Sequence, residues 1–481
     1  MKGKLGLGAS VILAALLTSC TVGPKYTKPS FPAAPSYSEQ PPQNFSEAGG
    51  WKPAQPGDTH LRPTWWEIFN DPQLNELEVL VPKANPTLSS AEASFRQARA
   101  LIQINKSALY PTIGVAPSIS ANRISGNNPT GVPGFQYGLF SMPVNVSFDA
   151  DLWGRIRRTI ATAKEQTQSA AADVENVKLE LQSELAVDYF EARALDRQKQ
   201  ILDDTVLAFR KALQLTQNRF AGGVASKAEV AQAQTQLNQT EAQDIDVGVA
   251  RRQFEHAIAT LVGQTPEEFR LETRPLTENP PAIPVGLPSE LLERRPDVAM
   301  QERLMAAANE QIGIARTAFF PDLVLSATAG FSSGNISTWF SWPSRVWAVG
   351  PQVAQTIFDA GRRRAQVENA LAGYDVTVSN YRQTALAAFQ EVEDNLSSLR
   401  ILEAESAKQH EATAAAENSL QLSLNRYKGG LVTYLEVITA QSIALTNERT
   451  EADLLRRRMD ASVLLIKALG GGWDLSKLPN V

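Results

Sequence analysis

The sequence predicts a mainly α-helical protein that carries membrane-type β-strands and is built from one unit written twice. The first observation is the repeat itself. Asn218-Arg219-Phe220-Ala221-Gly222-Gly223-Val224 returns as Asn425-Arg426-Tyr427-Lys428-Gly429-Gly430-Leu431, an offset of 207 residues. The same offset carries Gly154-Arg155 onto Gly361-Arg362, Glu229-Val230 onto Glu436-Val437 and Gly263 onto Gly470. Upstream, Pro86, Ile102, Ile104, Tyr110 and Pro111 fall on Pro296, Ile312, Ile314, Phe320 and Pro321, an offset of 210. A near-constant register over most of a chain marks a duplicated structural unit. The second observation is length: between Gly154 and Arg219 there is no proline and no internal glycine. The third is a period of two in the residues ahead of each such stretch.

The elements follow in order. Lys2 and Lys4 precede an apolar run, Leu5 to Leu17, that ends in Leu17-Thr18-Ser19-Cys20. A short basic stretch, a brief apolar core and small residues before a cut make a secretory signal, too short to span a bilayer. It resembles the bacterial lipoprotein signal, in which the cysteine is acylated and becomes the mature N-terminus. Cys20 is the one cysteine in 481 residues, so no internal disulfide forms. Thr21 and Val22 follow it, and neither is the aspartate that in such lipoproteins signals inner-membrane retention; the outer membrane is the expected address. The expected boundaries are a signal peptide over 1–19, a proline-rich tether and equatorial segment over 20–85, a first repeat over 86–263, a linker over 264–295, a second repeat over 296–470 and a tail over 471–481.

Each repeat reads helix, two strands, long helix, turn, long helix. Ser89 to Ala108 is rich in Ala, Gln and Arg, and Pro111 stops it. From Thr112, the apolar Ile113, Val115, Ile119 and Ala121 alternate with small or polar residues. A Gly/Asn/Pro loop over 126–134 leads to a second alternating run, Val144 to Phe148. The second repeat has Leu323, Leu325, Ala327, Ala329 and Phe331, then Trp347, Val349, Val353 and Ile357. One apolar and one polar face suit a strand between lipid and water. Trp339, Phe340, Trp342 and Trp347 gather near one end, as interfacial aromatics do.

A continuous helix from Gly154 to Arg219 would be roughly 100 Å long. Leu181, Leu185 and Tyr189 in the first copy, and Leu386, Phe389, Val392, Leu396 and Leu399 in the second, give stripes of the coiled-coil kind. Both long helices reach a Gly-Gly turn and return, over Lys227 to Val262 and Tyr434 to Leu469. Glycine suits that turn because it takes positive φ without steric cost.

Four strands cannot close a barrel, and an open sheet edge is not tolerated in lipid. The chain is therefore expected to oligomerise, with its helices forming a tube below the strands. Net charge is −5 and mean hydropathy −0.21, and no stretch is apolar enough for a membrane helix.

Leu292-Glu293-Arg294-Arg295-Pro296-Asp297-Val298, with Ala306-Ala307-Ala308-Asn309-Glu310-Gln311-Ile312-Gly313-Ile314-Ala315 and Ala318-Phe319-Phe320-Pro321 after it, resembles the outer-membrane efflux lipoproteins. These are the outer-membrane factors of tripartite resistance-nodulation-division pumps. Cys20 to Tyr26, Trp65-Trp66, Asp151-Leu152-Trp153-Gly154-Arg155 and Phe358-Asp359-Ala360-Gly361-Arg362 resemble the same family. The resemblance implies a homotrimer: four strands per chain complete a twelve-stranded outer-membrane barrel, continuous with a long periplasmic α-helical barrel that tapers shut. It further implies a periplasmic adaptor at the helix tips, here Gly222, Gly223, Val224, Gly429 and Gly430, and an inner-membrane resistance-nodulation-division transporter that supplies energy. By position the closed end falls on Arg426, Tyr427, Leu431, Leu435, Glu436 and Thr439. The family often has acids at the last two places; Thr439 departs from that, leaving one acidic ring at Glu436. Three carboxylates around a narrow axis repel one another and draw cations in.

His60, His256 and His410 are far apart and lack ligand spacing, and no nucleophile elbow or phosphate loop is present. No catalytic residue, cofactor, metal or nucleic-acid partner is expected. Two other readings stand beside efflux: the outer-membrane duct of a type I protein secretion system, and a structural trimeric coiled-coil lipoprotein. Cargo has no signature in the sequence.

Overall fold

The computed structural model describes residues 22–28, 36–39, 64–127, 129, 131, 133–283 and 290–479. The signal segment, Cys20 and His60 lie outside them. A 3-10 turn, Trp65–Phe69, leads into α1 (Pro72–Ala84). The first unit is α2 (Pro86–Ser107), β1 (Thr112–Val115), β2 (Ser118–Arg123), β3 (Gln136–Asp149), α3 (Arg155–Ala221) and α4 (Lys227–Leu261). After an extended crossing and the single turn α5 (Leu291–Arg294), the second unit is α6 (Pro296–Thr317), β4 (Asp322–Ser333), β5 (Arg345–Ala354), α7 (Arg362–Lys428) and α8 (Tyr434–Ala468). The copies match in length: 22 residues for α2 and α6, 67 for α3 and α7, 35 for α4 and α8.

Local chemistry explains the helix ends. Asn85 caps α2, its side chain accepting from the Thr87 and Leu88 amides at 2.8 and 3.2 Å, with Pro86 in the first turn. The cap starts the helix at Pro86, ahead of the alanine-rich stretch at Ser89 that composition picks out. Both long helices begin at a left-handed glycine, Gly154 at φ 82° and Gly361 at φ 91°, which turns the chain from strand to helix. Sixty-seven residues at 1.5 Å each make rods of about 100 Å.

The sheet is antiparallel, in the order β1/β2, β3, β4, β5. Val115 faces Val144 and Ser118 faces Ser141, so β1 and β2 hold one register on β3 and form a single stave. The break at Ala116-Pro117 lies where Pro117 has no N–H to give, beside Pro143 on β3, which has none either. The chain thus contributes four staves, as expected. β3 starts at Gln136, well before Val144, and β5 stops at Ala354, which leaves Ile357 beyond the strand.

The main core sits at mid-height. Trp65, Trp66 and Phe69 are buried against α3, with Phe69 and Phe190 ring centroids 5.0 Å apart. The segment read as tether and equatorial region thus ends in a packed helix that its proline content did not announce. The crossing after α4 is packed too: Phe269, Leu271, Leu276 and Ile283 are buried. Beneath it lies a charged network. Tyr189 donates to Asp71 at 2.7 Å, Arg193 and Arg251 both meet Asp196, and Arg251 and Arg252 meet Glu255. Arg193 also donates to the Glu272 carbonyl of the crossing.

Candidate functional site

The strand sheet has two chemically distinct faces. Val146, Ala327 and Val349 share one row, and Val144, Ala329 and Trp347 the next. The opposite face carries Asn145 and Thr328, joined by a 2.9 Å hydrogen bond, with Ser147 and Ser326 beyond them. At the loop end of the apolar face Phe140, Trp339, Phe340 and Phe331 cluster, and Trp342 and Trp347 are exposed. At the helix end Tyr110 and Phe358 are exposed, while Trp153 stacks on Phe320 at 4.6 Å and donates to the Pro321 carbonyl at 2.8 Å. An apolar band between two aromatic rows is the surface of a strand in lipid. Among the described residues no helix is long and apolar enough to cross a membrane.

About 100 Å away, the two tips are closed by the same bonds. Gly222 and Gly429 amides donate to Asn218 and Asn425 carbonyls at 3.0 Å, and Val224 and Leu431 amides to Arg219 and Arg426 carbonyls at 2.9 and 3.0 Å. Gly223 and Gly430 hold φ of 75° and 74°, the left-handed region that a side chain resists. Val224, Leu431 and Leu435 are exposed. Arg426 pairs with Glu436 of its own chain at 3.5 Å, both of them more than half or about half exposed. Thr439 donates its hydroxyl to the Leu435 carbonyl at 3.0 Å.

One residue of the second tip differs from its neighbours in exposure. Tyr427 is 1% exposed and does not share the open face with Leu431, Leu435 and Glu436. Its ring lies tilted against Tyr434 with centroids 5.4 Å apart, its hydroxyl reaches Thr216 at 3.3 Å, and the Arg219 guanidinium lies 4.5 Å above it. Arg219 also donates to the Tyr427 carbonyl at 2.8 Å. An aromatic ring at a helix end is worth more buried between two tips than wetted on one, and the cation over its face adds to that. Burial, with Tyr427 beside it, pushes the Tyr434 hydroxyl up to about 12. Arg219, Thr216 and Tyr434 were not singled out from sequence. The signal was present, since Arg219 is the repeat partner of Arg426.

A second charged feature lies along the long helices. On α3, Glu180, Glu184 and Glu191 lie roughly opposite Tyr189 and Arg193, which face the equatorial core, given about 100° per residue. Arg456 of α8 meets Glu191, Asp453 and Asp460 there, and Lys467 meets Glu180 at 3.6 Å. Burial, with Glu184 and Glu191 adding, pushes Asp188 up to about 7. Burial and Glu191 push Asp460 to about 7 against the pull of Arg456. No group of three His, Cys, Asp or Glu placed to hold a metal occurs among the described residues.

A sheet with one lipid-compatible face, running directly into helical rods that end in a tight double tip, defines an outer-membrane duct. The comparisons agree. The family model described as "Outer membrane efflux protein" matches residues 80–264 and 287–471, once for each unit, and the chain belongs to that family. The chain is 28% identical over 470 residues to a probable efflux pump outer membrane protein, SepC, of Pseudomonas putida, covering 97% of this chain and 96% of that one. It is 31% identical over 419 residues to the pyoverdine export outer membrane protein OpmQ of Pseudomonas aeruginosa, covering 85% and 87%. Among solved structures, the outer-membrane channel OprN superposes with a TM-score of 0.85 at 28% identity, over 94% of this chain and 100% of that one. The Campylobacter jejuni CmeC channel superposes at 0.86 over 95% and 96%, with 24% identity, a likeness of fold. The protein is an outer-membrane efflux channel.

Proposed function

We propose that three copies of this chain form the exit duct of a tripartite efflux pump, carrying small toxic molecules from an inner-membrane transporter to the outside. The observation that carries this reading is the open sheet. Four staves leave both edges, β1/β2 and β5, without a partner among the described residues, and in lipid such edges must be paired. Twelve staves from three chains close a barrel, and the helices continuing from them close a tube. The acid stripe of α3 and α8 then faces the bore, where it favours cationic and neutral cargo.

Cys20 carries the lipid anchor in this reading. Val22, two residues on, donates its amide to the Trp153 carbonyl at 3.3 Å, at the junction of strand and helix. That contact of Val22 at the inner edge of the apolar band supports a lipid anchor on the residues just ahead of it. At the other end, Arg426, Leu431, Leu435, Glu436 and Thr439 line the gate, with Tyr427 and Arg219 holding the two tips of each chain together behind it. The exposed turns at Gly222-Gly223-Val224 and Gly429-Gly430 receive the adaptor, whose docking opens the gate. The relatives' names, efflux of toluene, solvents and antibiotics and export of pyoverdine, point to small organic cargo.

A photo-crosslinking residue in place of Lys227, beside the first tip, tests the reading in cells. Capture of a resistance-nodulation-division adaptor or transporter is the expected result. Capture of an ABC-type secretion partner would reassign the duct to polypeptide export.

A further inference from the structure

The internal repeat supplies a view of a contact that one chain does not contain. Within the chain the second unit docks on the first: α6 packs along α3, and α8 beside α3. The repeat offsets convert each of those contacts into one between α7 and the α2 and α4 of another copy. The surfaces concerned are open. α6 buries eleven residues but its counterpart α2 only Leu88 and Ile102. No residue of 362–380 in α7 is buried, whereas Ile156, Arg158, Ile160 and Thr162 are buried at the equivalent start of α3.

Four ion pairs hold the internal seam. Arg158 meets Glu310 at 2.6 Å, Arg303 meets Glu165 at 3.2 Å, Lys467 meets Glu180 at 3.6 Å, and Arg456 meets Glu191. Carried across by the offsets of 207 and 210, none of them recurs. Arg158–Glu310 becomes Ala365 with Ala100, and Glu165–Arg303 becomes Ala372 with Ala93. Glu191–Arg456 becomes Ser398 with Val249, and Glu180–Lys467 becomes Ala387 with Thr260. Size is exchanged too. Arg158 lies so close over Gly313 that a Cβ there would sit 2.5 Å from it, and their counterparts are Ala365 and Gln103. The open faces have charges of their own, Arg96 and Arg99 on α2 and Glu368 and Asp375 on α7. The internal seam has Ala306, Asn309, Ala161 and Gln168 at those places.

We propose that these residues are a pairing code which makes the open faces of α2, α4 and α7 accept a second copy of this chain in one unit order only. The two wrong orders arise when a unit of one copy takes the place of the partner unit docked within another chain, and each strands charges. A first unit that takes another first unit in place of its own second leaves Arg158 and Glu165 against Ala100 and Ala93. A second unit that takes another second unit in place of its own first leaves Glu310 and Arg303 against Ala365 and Ala372. A part-buried charge left without its partner is costly, so specificity comes from the rejected pairings as much as from the accepted one. Units then alternate around the ring, and the seam between chains is uncharged where the seam within a chain is ionic.

This inference rests on the ring reading and is tested apart from it. In the full-length protein, cysteines replace Ala100 and Ala365, and a short bis-maleimide is added to membranes before denaturing electrophoresis. The double variant A100C/A365C gives covalent dimers and trimers, and neither single variant does. Monomers alone, from protein that native mass spectrometry finds trimeric, overturn the code and leave the ring standing. Absence of any trimer in the unmodified protein removes the ring reading itself. A charge arm needs no crosslinker: A372E loses the trimer and A93R/A372E regains it. A trimer indifferent to A372E refutes the code, and because Ala372 is exposed in the single chain, its folding is not at stake.

Discussion

Removing the Arg219 side chain is the most direct probe of the tip. Arg219 gives a 2.8 Å charge-assisted hydrogen bond to the Tyr427 carbonyl and lies 4.5 Å over the Tyr427 ring. A hydrogen bond from a charged donor contributes about 1.5–3 kcal/mol net, and a cation over an aromatic face about 0.5–2 kcal/mol, depending on exposure. Arg219 is half-buried, which favours the lower ends of both ranges, about 2 kcal/mol per chain together. If that energy holds the first tip to the second in the closed duct and not in the open one, Arg219→Ala shifts the closed-to-open ratio about 30-fold for each chain that opens, at roughly 1.4 kcal/mol per decade. Single-channel recording in planar bilayers reads this as longer and more frequent openings, while Arg219→Lys, which keeps charge without the planar fork, falls between. Open probability unchanged within about twofold in Arg219→Ala would refute the clamp, since roughly 0.4 kcal/mol is then all that the contact supplies.

Gly223→Val and Gly430→Val force β-branched residues into left-handed backbone at φ 75° and 74°, at a cost of about 1–2 kcal/mol each. Open space surrounds Gly223, so trimers still form and drug susceptibility, not yield, registers the loss of adaptor contact. Glu436→Ala changes stability by no more than about 0.5 kcal/mol, as the Arg426 pair is exposed, yet lowers the cation-to-anion permeability ratio measured from reversal potentials. Asp188 carries a folded-state pKa of about 7, above the unfolded value near 3.9. The folded chain therefore binds the extra proton between those pH values, and stability from this group falls as pH rises from about 4 to about 7. Melting curves of Asp188→Asn should lose that slope relative to the parent, and its cation preference should vary less between pH 6 and 8; equal slopes in both proteins would contradict the burial of this carboxylate.

The duplicated unit, the long rods and the alternating strands are legible in the sequence. These are local or periodic properties: a 207-residue offset, a stretch without Gly or Pro, and a period of two are legible without knowing what packs on what. So are the glycines at both tips, because positive φ is a demand made by the turn itself. Tertiary structure decided what those elements face. Tyr427 and Phe220 are repeat partners at helix ends, and only the approach of Arg219 and Tyr434 makes one buried while the other is exposed. Pro117 and Pro143 are separated by the loop of the hairpin, and the break in the first stave falls where the register sets them on adjacent rows of the sheet. Glu78 sits on an ordinary-looking helix, yet it is fully buried, and burial alone holds its carboxyl well above the usual range. Charges are the least legible residues of all, because the same Arg or Glu is solvated on one face and paired on another, and which face it occupies is fixed only when the two units dock.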